Sequence, residues 1–121
     1  MDCLFCRIIE EREKSYTLYE NDYAKVILDA FPQTDGHLLI IPKKHFEDIM
    51  EIDDKTLLEV NKLAKKFTKI LMQKLNKKSI THLINYGDEQ IIKHFHYHLI
   101  PDFKLNAHNY NNEEIFNILN K

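Results

Sequence analysis

The chain has 121 residues, 44% of them hydrophobic, which suits a single domain over residues 1–121 and leaves no room for a second core of ordinary size. Its 17 basic and 19 acidic residues give a net charge of −2, so there is no global electrostatic reason to bind nucleic acid or an anionic membrane. No run of about 18 apolar residues occurs, and Met1-Asp2-Cys3 opens the chain in place of a basic segment followed by an apolar one, so a soluble, cytoplasmic protein is expected.

Cys3 and Cys6 stand in Cys-Leu-Phe-Cys. Two cysteines are too few for a disulfide framework, and the pair reads as half a metal site or as a redox dithiol. Phe5 to Glu11 suits a short helix with Ile8 and Ile9 on its apolar side. Tyr16 to Tyr19 and Tyr23 to Leu28 flank Glu20-Asn21-Asp22, which predicts a hairpin. Asp29 to Gly36 contains Pro32 and breaks regular structure, after which His37 to Ile41 forms a third, mostly apolar strand closed by Pro42.

From Asp53 to Leu75 the apolar residues Leu57, Val60, Leu63, Ala64, Phe67, Ile70 and Leu71 recur at three- and four-residue steps. That spacing predicts a long amphipathic helix, with Asp53 or Asp54 at its N-cap and Lys62, Lys65, Lys66 and Lys69 on a solvated face. Ser79 to Tyr86 follows as a fourth strand, Gly87 to Gln90 as a turn, and Lys93 to Ile100 as a fifth strand closed by Pro101. A helix over Glu113 to Leu119 completes an α+β pattern, with short terminal helices around about five strands and one long helix.

Histidine alternates with apolar residues through His94-Phe95-His96-Tyr97-His98-Leu99. On a strand, side chains two residues apart point the same way, so one face carries all three imidazoles at steps of roughly 6.6–7 Å. Phe95, Tyr97 and Leu99 fill the core on the other face, and the histidine face must look into a polar cleft, onto a metal or out to solvent. A half-exposed strand with chance histidines is the alternative.

The segment His94 to Ile100 resembles the His-φ-His-φ-His-φ-φ signature of the histidine triad (HIT) superfamily. The Asp29-Ala-Phe-Pro32 loop, Gly36-His37 to His45, and Asn85 with Gln90 match that family in order and approximate spacing, leaving only the residues beyond Asp102 unplaced. The Hint-type branch is the nearest in appearance. The resemblance implies a HIT-like fold with an antiparallel sheet, a homodimer, and hydrolysis of purine nucleoside phosphoramidates. His96 would be the nucleophile that carries the nucleotidyl group, and His98 and His37 would stabilise the phosphoryl oxygens and the nucleophile's surroundings. Asp29 matches a ligand of the ribose hydroxyls, with a loop-capping role equally open to it. Asn85 matches a phosphate-side contact and Gln90 a contact to the leaving-group oxygen. The same resemblance assigns Cys3, Cys6, His45 and His94 to a structural zinc ion, since two thiolates and two imidazoles leave no position for water. His82 and His108 lie outside every motif and receive no function.

One turn departs from the family pattern. Asp88-Glu89-Gln90-Ile91 stands where a glycine-rich turn and a small polar or acidic residue are usual, and Ile91 can neither donate to a phosphoryl oxygen nor pass a proton. Asp88 and Glu89 add negative charge near an anionic ligand. Three readings follow: a nucleotide hydrolase or nucleotidyl transferase acting through His96, a dinucleoside polyphosphate hydrolase with the same site, and a slow or inactive module that binds an AMP-like purine nucleotide.

Overall fold

The computed structural model describes residues 3–106 and 108–121. Leu4–Ile9 forms the first helix (α1), Thr17–Glu20 (β1) and Ala24–Leu28 (β2) form the hairpin, and Leu38–Pro42 (β3) follows. Asn21 makes the hairpin turn, because its side-chain oxygen accepts from the amides of Tyr23 at 2.8 Å and Ala24 at 3.0 Å. Asp54–Lys74 is the long helix (α2), Ile80–Leu83 (β4) and Tyr97–Pro101 (β5) are the last strands, and Asn112–Leu119 (α3) ends the chain. The strands make one antiparallel sheet in the order β1-β2-β3-β5-β4, the expected α+β arrangement of five strands, one long helix and short helices.

Every residue of β2 and β3 is buried, as strands covered on both faces must be. Alternation divides them. Ala24, Val26, Leu28, Leu38 and Ile40, with Leu99 of β5, pack beneath Val60, Leu63, Phe67 and Leu71 of α2. Ile27, Leu39 and Ile41 point the other way and join Phe5 and Ile8 of α1 in a second cluster. The three- and four-residue apolar spacing of α2 is thus its core stripe, Asp53 accepts the Thr56 amide at 2.8 Å as N-cap, and Lys62, Lys65, Lys66 and Lys69 are exposed.

Two strands are shorter than the alternation predicts. β5 begins at Tyr97, so His94 and His96 precede it. The reason is a competing partner: the Phe95 amide donates to the Phe46 carbonyl at 2.7 Å, in the loop that follows β3. β4 stops at Leu83 because that residue pairs with His98, close to the point where β5 leaves the sheet. Two short 3₁₀ turns, Gly87–Glu89 and Phe103–Leu105, complete the connections.

Gly36 introduces His37 with a φ of +87°, and a Cβ there would meet Leu75 Cδ1 at 2.6 Å and Leu71 Cδ2 at 3.3 Å. Gly87 has a φ of +86° with open space around it. Gly36→Ala is therefore expected to lower the unfolding free energy by about 2–4 kcal/mol, against about 1–2 kcal/mol for Gly87→Ala, which pays only the left-handed backbone term. Urea unfolding of the two variants checks this; equal losses would remove the contact with α2 from the explanation.

Candidate functional site

The site is built where β5 meets β3 and the segment before β5 crosses the end of α1. Leu39 pairs with His98 across the sheet, which puts the His98 ring on the α1 side. His37 lies just before β3, and its Nε2 is 2.9 Å from His98 Nδ1. The His96 and His98 rings are 4.9 Å apart, and Phe5 packs edge-on against His96 at 5.0 Å.

Backbone groups decide which nitrogen of each ring carries the proton. The Gln33 amide donates to His37 Nδ1 at 3.0 Å, so the His37 proton is on Nε2 and is donated to His98 Nδ1. His98 then carries its own proton on Nε2, a buried atom with no partner among the described residues. His96 Nδ1 lies 2.8 Å from the His94 carbonyl, which can only accept, leaving the Nε2 lone pair free. Burial disfavours the charged form of all three rings. It holds His37 and His98 down at about 4, each further lowered by His96, and pulls His96 below its ordinary value against its hydrogen bond to His94.

The first triad histidine turns elsewhere. His94 Nε2 donates to the Pro42 carbonyl at 2.9 Å, and its Nδ1 lies 3.4 Å from Cys3 Sγ and 3.5 Å from Cys6 Sγ. His45 Nδ1 is 3.7 Å from Cys3 Sγ and 3.3 Å from Cys6 Sγ. A tetrahedral zinc ion with ordinary Zn–S and Zn–N bonds would hold sulfur and nitrogen about 3.5 Å apart, so the four donor atoms have the spacing of such a site. Both cysteines are free, and burial, reinforced by Cys3, lifts the Cys6 thiol to about 11, a proton that a bound cation would displace. Asp29, His37 and His98 also approach one another closely, but the shared His37 proton already occupies the nitrogen pair.

A cavity of about 1140 Å³ opens over His96 and His98. Leu4, Phe5, Ile8, Ile27 and Leu39 line it, together with the polar residues Asp29 and Asn85. Asp29 Oδ1 caps the Phe31 amide at 2.9 Å, its Oδ2 lies 3.5 Å from His37 Nε2, and burial raises its carboxyl above the usual range. Asp29 therefore caps its own loop and also lines the cavity. Gln90 sits apart from the cavity lining: its amide donates to the carbonyls of Glu47 at 2.6 Å and Ile92 at 3.1 Å, and this ties down the turn. Ile91 is 90% exposed on the cavity rim, with Glu89 beside it, while Asp88 is outside. His82 packs between Thr68 and Tyr97 on the far side of the sheet. Sequence reasoning passed over Lys25, a buried cation in the cavity wall whose only signal was one charge inside an apolar strand.

Comparison with known proteins gives the chain its relatives. An uncharacterised 16.1 kDa HIT-like protein of Mycoplasma pneumoniae is 39% identical over 105 residues, covering 85% of this chain and 73% of the relative. The adenosine 5′-monophosphoramidase of Saccharomyces cerevisiae is 38% identical over 101 residues, covering 82% of this chain and 61% of the relative. A zinc-bound histidine triad family protein of Mycobacterium smegmatis superposes with a TM-score of 0.90 at 26% identity, over 99% of this chain and 91% of that one. The family model described as HIT domain matches residues 10–105, and with the triad, its buried neighbours and these relatives in view, the chain belongs to the HIT domain family.

Proposed function

We propose that the protein is a nucleotide hydrolase or nucleotidyl transferase that works through His96. The observation that carries this reading is the pairing of a free His96 Nε2 with a buried His98 Nε2–H, without a partner among the described residues, at one cavity. An electron pair and a preset donor are what attack at a phosphorus centre requires. A nucleoside phosphoramidate or related nucleoside monophosphate conjugate is the substrate class, in keeping with the phosphoramidase among the relatives.

His96 Nε2 attacks the α-phosphorus, the bond from phosphorus to the leaving amine breaks, and the amine takes a proton from water. The resulting nucleotidyl-imidazolium is steadied by the His94 carbonyl, which already accepts from Nδ1. Water then attacks phosphorus, the histidine–phosphorus bond breaks, and the nucleoside monophosphate leaves as a proton returns to solvent. His98 Nε2–H would donate to a phosphoryl oxygen throughout, with His37 holding its tautomer. Asp29 and Asn85, both in the cavity lining, would meet the ribose and the phosphate. Gln90 spends both amide hydrogens on carbonyls, so its proposed part is to hold the turn, and it would donate to the leaving group only after releasing one of them. The homodimer belongs to the same reading, with β4 as an edge strand available to a partner.

Cys3, Cys6, His45 and His94 are proposed to hold zinc as a closed structural site. Its chemistry there is to fasten the N-terminal segment to the loop after β3 and to the triad segment. It takes no catalytic step.

Incubation with adenosine or guanosine phosphoramidates is expected to give a nucleotidyl adduct in intact-mass measurements that is absent from His96→Ala, and His98→Ala should lower kcat roughly 10²–10³-fold. Nucleotide binding with neither turnover nor adduct would favour the inactive module, and faster cleavage of dinucleoside polyphosphates would move the substrate class.

Metal analysis of the purified chain is expected to find about one zinc per chain, lost when Cys3 and Cys6 become serine. Metal-free protein of undiminished stability would rule the zinc site out.

Acidification provides a third check. Unfolded histidines bind protons as pH falls below about 6.5, whereas folded His37 and His98 resist until about 4, so stability is whole above 6.5 and declines across that window. Chemical denaturation at stepped pH should show this decline, and a His37→Gln/His98→Gln variant should show a shallower one. An unchanged slope in the variant would place the titration elsewhere.

A further inference from the structure

Lys25 is the second residue of β2, a strand otherwise made of Ala24, Val26, Ile27 and Leu28. It is 3% exposed, and its side chain lies on the cavity face with Ile27, opposite Ile41 of β3 and Glu20 of β1. The Glu20 carboxylate is engaged by Lys43 at 2.8 Å, and Lys25 forms no ion pair among the described residues. Its ammonium donates one hydrogen bond, to the Ile8 carbonyl at 3.0 Å. An ammonium has three donors, and a buried one that spends a single donor is costly unless something else accepts.

Lys25 pairs with Ile41 of β3 and lines the same cavity as His96, beside the apolar wall made by Ile8, Ile27 and Leu39. A nucleotide with its phosphorus at His96 has that wall for its base, and Lys25 is a buried cation within it.

We infer that Lys25 selects 6-oxopurine nucleotides, of the guanosine or inosine kind, over adenosine nucleotides; this rests on the reading that a purine nucleotide fills the cavity. A 6-oxopurine presents O6 and N7 as adjacent acceptors, matching the unspent donors of the ammonium. Adenine presents N7 beside an amino donor, which faces the ammonium donor to donor. The bond to Ile8 alone is also what a helix C-terminal cap for α1 would make, and base selectivity separates the two roles.

Calorimetric titration of the full zinc-loaded chain with GMP, IMP and AMP provides the test. GMP and IMP are expected to bind about ten-fold or more tightly than AMP, with the difference kept in Lys25→Arg and reduced to within about two-fold in Lys25→Met. AMP binding as tight as GMP in the unaltered protein overturns the inference, whatever the variants do. So does IMP at the level of AMP, which would put recognition on the 2-amino group, or a Lys25→Met chain that keeps the preference or loses all three affinities in parallel. A His96 adduct with no base preference removes only this inference; no binding of any nucleotide and no adduct removes the nucleotide reading with it.

Discussion

The peptide of His94 joins the two halves of the site. Its ring gives the Nε2 proton to the Pro42 carbonyl, which turns Nδ1 toward the two cysteines, and its carbonyl takes the Nδ1 proton of His96. A single residue therefore faces the thiol cage with its side chain and sets the nucleophile with its backbone. The Phe95 amide, held by the Phe46 carbonyl, prevents this stretch from continuing as a strand. Had the ladder run on regularly from β5, His94 and His96 would have projected side by side on one face, with their backbone groups spent on neighbouring strands.

Burial supplies the remaining control. The two-sided sheet leaves β2 and β3 without solvent contact, so groups on the α1 side face either apolar side chains or the cavity. His37 and His98 are kept neutral by that desolvation, and neutral rings can form a directed relay from the Gln33 amide to His98 Nε2. A protonated His37 would place a charge against His98 and break the order of donors. The same desolvation makes an unspent donor expensive, so His98 Nε2, without a partner among the described residues, and the Lys25 ammonium, with one bond to Ile8, are places for ligand atoms.

Much of this was readable from the chain. The period of α2, the hairpin around Asn21 and the apolar run of β3 follow from local pattern, and these four elements lie within a residue or two of their expected limits, as β4 and β5 do not. The cage was legible only through resemblance, because Cys3 and Cys6 are separated from His45 by about forty residues and from His94 by about ninety. Gln90 shows where likeness of position falls short. Its place in the order suggested a ligand contact, while its amide is occupied by two backbone carbonyls that no motif records.

The sequence by itself determined the elements, the division of apolar residues between two faces, and the histidine-rich segment, since all three depend on side-chain type at short periodicity. Only the tertiary structure decided what each histidine does. Proton placement on His37, His94 and His96 comes from the Gln33 amide and the carbonyls of Pro42 and His94. Backbone groups carry no residue identity, and their positions exist only once the chain has folded around them.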